Sequence, residues 1–400
     1  MRAALRHSRL SRLSRLSRLL LCLTVGIASA GWAAPGRTYP EYRVTIVGPA
    51  NSFAADINKD GFIVGEVRFS DTFTRAFINR GKGLVYLDKQ GATTSDAVAI
   101  NDKGQVLGNW KTRAGEQRGY IYYAGVRRDI GTIPGRNTRF TDLNNAGFAT
   151  ALGLVPDSYE EPRSYLRAPN GTLRDIGSLP FTDPITYAYA INNSNKITGA
   201  SGPLLFPDQP LRAMVWANGV MRDLGDFGTS PNSGYAINDC GQVTGFASLF
   251  AGYRNRVAFL YSHGRMINID GRPDTEERSS AGEGINNFGH VVGSSNHLSG
   301  FVYRGRRMES LNALIDPTLH WDIADAHAIN DAGQIAATGY HNGVQYALRL
   351  DLIRPLLQRA PELERNDAVA APVANTADQE EAKADAAMQA REVVHSVPQF

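Results

Sequence analysis

Along most of the chain, short apolar runs rich in β-branched and aromatic residues alternate with small and polar positions, and each run stops at Gly, Asn, Asp or Pro. That period of two, broken by turn residues, predicts short half-buried strands rather than helices. One phrase recurs in order: "DINKDGFIVG", "AINDKGQVLG", "DLNNAGFATA", "AINNSNKITG", "AINDCGQVTG", "GINNFGHVVG" and "AINDAGQIAA". Each reads as two strands joined by a tight turn. After each phrase except the last comes an aromatic-rich strand, a Gly turn and another strand, as in "RGYIYYAGVRRDIG" from Arg118 or "RAMVWANGVMRDLG" from Arg212. The unit is therefore four antiparallel strands, a to d.

The marker residues Asn58, Asn101, Asn144, Asn192, Asn238, Asn286 and Asn330 are spaced by 43, 43, 48, 46, 48 and 44. A four-stranded unit of roughly 46 residues is the length of a propeller blade. The last unit has strands a, b and c ("AHAIN", "GQIAATGY", "QYALRLDL") but no strand d, while an unpartnered strand, "YRVTIVG" from Tyr42, precedes the first unit. The expected fold is all-β: a seven-bladed propeller over residues 35–353, with the N-terminal strand completing the last blade and leaving no loose edge. An open β-solenoid is the alternative.

The first phrase also resembles a calcium loop, with Asp56, Asn58 and Asp60 at alternate positions and Gly61 at the sharp turn. The first Asp is missing from five of the seven copies, and Val67 stands where the closing Glu belongs. The turn explains the pattern better. Asn is favoured at the start of a type I turn, and the fourth residue needs a positive φ. Gly61, Gly104, Gly147, Gly241, Gly289 and Gly333 supply it, with Asn195 in the fourth copy.

Residues 1–34 read as a signal peptide: arginines without a carboxylate, the apolar run "LLLCLTVGIASA" and the small-x-small site Ala28-Ser29-Ala30. Removing its six arginines turns the formal charge of +3 into −3, so no basic footprint for nucleic acid remains. Its loss also leaves Cys240 as a lone thiol, too few for a disulfide framework. No other run is long and apolar enough to span a membrane. Residues 354–375 read as a Pro- and Ala-rich linker, and 376–400 as a partly helical or disordered tail.

The repeat phrases resemble the extracellular HAF-repeat family of bacterial exported proteins, over roughly Tyr42 to Leu352. The resemblance implies export, to the periplasm or outside a Gram-negative-type cell, a propeller-like fold and no established enzymatic activity. It lacks the Pro-Glu-Pro sorting segment of some relatives.

In the a-to-d scheme, the a–b and c–d turns share one face and are short and uniform. The b–c and d–a connections on the other face vary, and varied loops on a rigid scaffold are where binding usually sits. Trp110, Tyr159, Glu160, Asp208, Tyr253, Arg254, Asp274, Glu276 and Trp321 fall there. Such aromatic rings beside charged groups suit the faces and hydroxyls of sugars. The expected partner is a glycan or an envelope protein, and the expected role is non-catalytic binding or scaffolding. An extracellular polysaccharide hydrolase or lyase and a structural or adhesion protein are the alternatives. No metal-spaced His/Cys cluster, Gly-x-Ser-x-Gly elbow or phosphate loop occurs, so no cofactor, metal or catalytic residue is assigned. His290 and His327 lie inside or beside repeat phrases and read as structural or incidental. Arg75, Arg118, Arg163 and Arg212 open strand c, and Asp129, Asp175 and Asp223 recur in strand d, an arrangement that suggests a structural role, either outer-strand charge that discourages edge pairing or ion pairs within or between blades.

Overall fold

The computed structural model describes residues 40–87, 92–154, 162–203, 211–250, 255–272 and 279–353. The signal segment, linker and tail expected from the sequence lie outside these residues. Seven four-stranded antiparallel sheets follow one another along the chain. The innermost strands, a, are Ser52–Ile57, Thr94–Ile100, Asn137–Leu143, Pro184–Ile191, Asn232–Ile237, Ser280–Ile285 and Trp321–Ile329. Each contacts the next around the circle, and Ser52–Ile57 meets Trp321–Ile329, so the ring is closed. The protein is a seven-bladed β-propeller.

Closure uses both ends of the repeat region. Tyr42–Ala50 pairs antiparallel with Val344–Leu352, from Tyr42 opposite Leu352 to Ala50 opposite Tyr346. The first strand thus becomes the outer strand of blade 7, and its Tyr42 and Val47 are buried. The open solenoid is excluded.

Every strand a carries a register shift just before the repeated turn, where one extra residue opposes strand b. These residues are Ala55, Val98, Thr141, Tyr189, Tyr235, Glu283 and His327. The irregularity explains the Gly that closes most repeat phrases. A Cβ at Gly65 would sit 1.9 Å from the Phe53 carbonyl oxygen, and one at Gly199 would sit 1.8 Å from that of Tyr187. Between blades, buried Val, Ile, Leu, Ala and Phe form seven separate clusters rather than one core. Each cluster draws on neighbouring sheets, which makes stability a property of blade interfaces. The strand c arginines pair with strand d of their own blade: Arg118 with Asp129 at 2.9 Å, Arg163 with Asp175 at 3.6 Å and Arg212 with Asp223 at 3.8 Å. Among the described residues no helix is long and apolar enough to cross a membrane.

Candidate functional site: the axial channel and its two mouths

At the mouth formed by the a–b turns, the seven marker asparagines form a closed circuit. Asn58 Nδ2 donates to the Asn101 carbonyl at 3.3 Å, Asn101 to Asn144 at 3.0 Å and Asn144 to Asn192 at 3.0 Å. Asn192 donates to Asn238 at 2.9 Å, Asn238 to Asn286 at 2.9 Å and Asn286 to Asn330 at 3.2 Å. Asn330 closes the circle on Asn58 at 3.0 Å. Each side-chain oxygen meanwhile accepts the backbone N–H four residues on, and those of Asn58, Asn101, Asn144, Asn192 and Asn286 also accept the N–H two residues on. Gly61, with φ of 74°, completes the turn by donating to the Asn58 carbonyl. One buried amide therefore sets its own turn and ties its blade to the next, so the same residue is needed seven times.

The residues after the markers make a second circuit. Lys59 N–H donates to Asp102, Asp102 to Asn145, Asn145 to Asn193, Asn193 to Asp239, Asp239 to Asn287 and Asn287 to Asp331. Lys59 has no acceptor, so the chain of bonds stops between blades 7 and 1. These turns enclose a cavity of about 210 Å3. Into it project Asp56 and Asp142, whose carboxylates each take a backbone N–H from their own blade and one from the next, Ile57 and Ile100 for Asp56 and Leu143 and Ile191 for Asp142. Burial, and then the nearby Asp142 charge, push Asp56 up to about 8, while burial pushes Asp142 up to about 6. Asp56 and Asn58 thus spend the oxygens that a calcium loop would use on the fold itself.

Deeper in the channel the repetition ends. The seven extra residues of strand a are all different except for two tyrosines, and contacts among them and their neighbours cross from blade to blade. Tyr189 meets Tyr235 edge-on at 5.4 Å and lies parallel to Tyr187, with ring centroids 6.3 Å apart. Glu283 and His327 Nδ1 are 2.7 Å apart, His327 Nε2 is 3.2 Å from Thr338 Oγ1, and Ser294 Oγ donates to Glu283 at 2.9 Å. Phe53 packs on the His327 ring with centroids 4.4 Å apart. On the other side Arg139 reaches Asp96 at 3.4 Å. Burial raises Asp96, Asp325 and Glu66, the last also through the Asp96 charge.

Phe53 also lines a cavity of about 390 Å3 with Asn51, Glu66, Arg68, Phe69 and Asp71. It lies at the b–c connection of blade 1, on the loop face. Phe69 is 54% exposed there and packs against Phe73 and Tyr86. Half-exposed aromatic rings beside acids, an arginine and an amide can stack on a flat apolar face and hydrogen-bond its polar edge.

Of the residues singled out from sequence, Tyr159, Glu160, Asp208, Tyr253, Arg254, Asp274 and Glu276 lie outside the described residues. Trp110 is not a loop residue: it belongs to the strand Val106–Lys111, half-buried beneath Arg127, whose guanidinium lies 4.8 Å from the indole. Trp321 begins strand a of blade 7 and packs between His341 and Tyr346, at 4.9 and 5.7 Å. Both tryptophans are held in blade packing. Phe53, Glu66 and Glu283 escaped notice, and His327 read only as structural or incidental, because Glu283 and His327 meet across 44 residues and Phe53 packs on His327 of the last blade. Aligning the repeats three positions before each marker Asn would have exposed the pattern, because that column changes from Ala to Tyr to Glu to His.

No family model and no curated protein matches the chain. Among solved structures it is similar to the β-propeller domain of the Trilobed protease from Pyrococcus furiosus, at 11% identity over 80% of this chain and 100% of that one, with a TM-score of 0.48. YCF48 bound to D1 peptide matches at 11% identity over 84% of this chain and 99% of that one, TM-score 0.48. TolB from Acinetobacter baumannii matches at 13% identity over 64% of this chain and 62% of that one, TM-score 0.41. Likenesses of this degree say nothing of activity or partner.

Proposed function

We propose that the chain is an exported, non-catalytic binding propeller of the HAF-repeat kind that captures a glycan, free or displayed on an envelope protein, at the loop-face mouth of its channel. One observation carries the reading. The ring of turns repeats one residue seven times, whereas the channel position three residues earlier holds Ala55, Val98, Thr141, Tyr189, Tyr235, Glu283 and His327. A position serving only blade geometry has no reason to differ so widely in size and charge. Phe53, Phe69 and Glu66 at the mouth supply the ring faces and acceptors that sugars need. The test is a thermal-shift panel of neutral, amino and acidic oligosaccharides, run with calcium and with a chelator. A ligand at 100 times its Kd adds about 2.7 kcal/mol of stability, and Phe53→Ala should abolish the shift. No shift with any sugar would end the glycan reading, and a calcium shift reversed by chelator would overturn the account of the Asp56 turn.

A second reading, an extracellular polysaccharide hydrolase or lyase, draws on Glu66, Asp96, Glu283 and His327 around one channel. It requires turnover that Glu66→Gln or Glu283→Gln removes while leaving melting unchanged. A reducing-end assay across polysaccharides that stays flat would sink it.

A further inference from the structure

On the turn-bearing face, away from the loop-face mouth, blades 2 and 3 enclose a cavity of about 360 Å3 whose charged lining among the described residues is Lys103, Arg128 and Arg167, with no carboxylate among them. Arg167 is 9% exposed. Its side-chain hydrogen bond goes to the neutral carbonyl of Ala168, at 3.3 Å. A guanidinium this buried is rarely found without an anionic partner, because it has given up its hydration. The acids adjacent in sequence to Lys103 and Arg128 are engaged elsewhere. Asp102 accepts from Lys59 and Asn145, and Asp129 from Arg118 and Gly131. Burial, and then the neighbouring Arg128 charge, pull Arg167 below its ordinary value.

The residue is also an exception within the repeat. Strand pairing puts Arg167 opposite Ala149, the place that Asn79, Tyr122, Trp216, Tyr261, Tyr303 and Leu350 occupy in the other blades. Blade 3 alone puts a cation there. Around it, Ile121, Ile130 and Pro169 form apolar walls, and Tyr123 and Val126 stand at the rim, 51% and 68% exposed.

We propose that this cavity binds an oxyanion (carboxylate, sulfate or phosphate) carried on a flat or apolar body. Arg167 is the buried anchor, Arg128 and Lys103 close over the charge from the rim, and Ile121, Ile130 and Pro169 hold the apolar part. Arg supplies a planar fork that matches all three oxyanions.

The experiment is a melting and calorimetric titration of the whole protein with sodium sulfate, sodium phosphate, benzoate and phenyl phosphate, at ionic strength held constant with NaCl. At least one oxyanion should raise the melting temperature saturably, and added NaCl should weaken the effect. Whichever of benzoate, sulfate or phosphate acts alone identifies the anion class, and a stronger response to phenyl phosphate than to phosphate reports the apolar wall. Arg167→Met should lower the affinity by at least about tenfold, as expected for a charge-assisted bidentate contact. In plain buffer it should melt at or above the wild type, since an uncompensated buried charge has been removed. Arg128→Ala, at the exposed rim, should weaken binding by roughly threefold without changing the plain-buffer melt, and it decides the matter should Arg167→Met fail to fold. A wild type that answers oxyanions no more than NaCl, or an unchanged response in the folded variants, overturns the proposal.

Discussion

The two levels of the channel obey opposite rules. At the a–b mouth, seven identical asparagines make seven equivalent bonds, and variation would break a circuit. A few ångströms deeper the same scaffold presents aromatic, acidic, basic and aliphatic side chains in turn. Identity marks residues whose partner is the neighbouring blade. Diversity marks residues whose contacts change from blade to blade, from the Tyr189–Tyr235 edge to the Glu283–His327 pair.

Three experiments sharpen that contrast. The largest effect should come from opening the circle. Removing residues 40–50 strips blade 7 of its outer strand, takes away the buried Tyr42 and Val47 and uncovers Leu348 and Ala347 beneath them, a loss of roughly 5 kcal/mol by apolar area alone. Calorimetry should show a much lower melting temperature or no cooperative transition. A shift of only a degree or two would mean that the ring does not depend on its seam. Next, Asn192→Ala should cost about 1–3 kcal/mol in chemical denaturation, because it removes the acceptor of the Ser194 and Lys196 N–H groups and the side-chain donor to the Asn238 carbonyl, which ties blade 4 to blade 5. Tyr235→Ala, one blade on and one level deeper, should cost clearly less. Equal losses would erase the distinction between the two levels.

The smallest effect concerns pH. Asp56 and Asp142 are raised in the folded state, to about 8 and about 6, so between the unfolded carboxyl value near 4 and these values the native state holds more protons than the unfolded one. Their contribution is therefore greatest below about pH 4 and declines as pH rises towards 8. Asp56→Asn, which mimics the protonated carboxyl, should flatten the fall in melting temperature between pH 5 and pH 8. An unchanged slope would show that the Asp56 carboxylate is held ionised by its two N–H bonds.

The propeller was legible because its evidence is periodic. Asn58 and its six counterparts announce the blade number, and "YRVTIVG" paired with a missing last strand announces the closure. The charges of strands c and d were legible as structural, but only the structure shows that Arg118 pairs with Asp129 within one blade. The site was legible only in outline. Trp110 and Trp321 attract attention as large aromatics, yet each is spent on its own sheet.

The sequence by itself determined the repeat, the turn residues and the count of strands, because these follow from local backbone geometry and from alternation along one strand. The tertiary structure alone decided that Asn58 bonds to Asn101, that Glu283 meets His327, and that Arg167 lies buried beside Arg128. Each joins residues brought together when one blade is laid against another. Periodicity along the chain has no term for what faces across that seam.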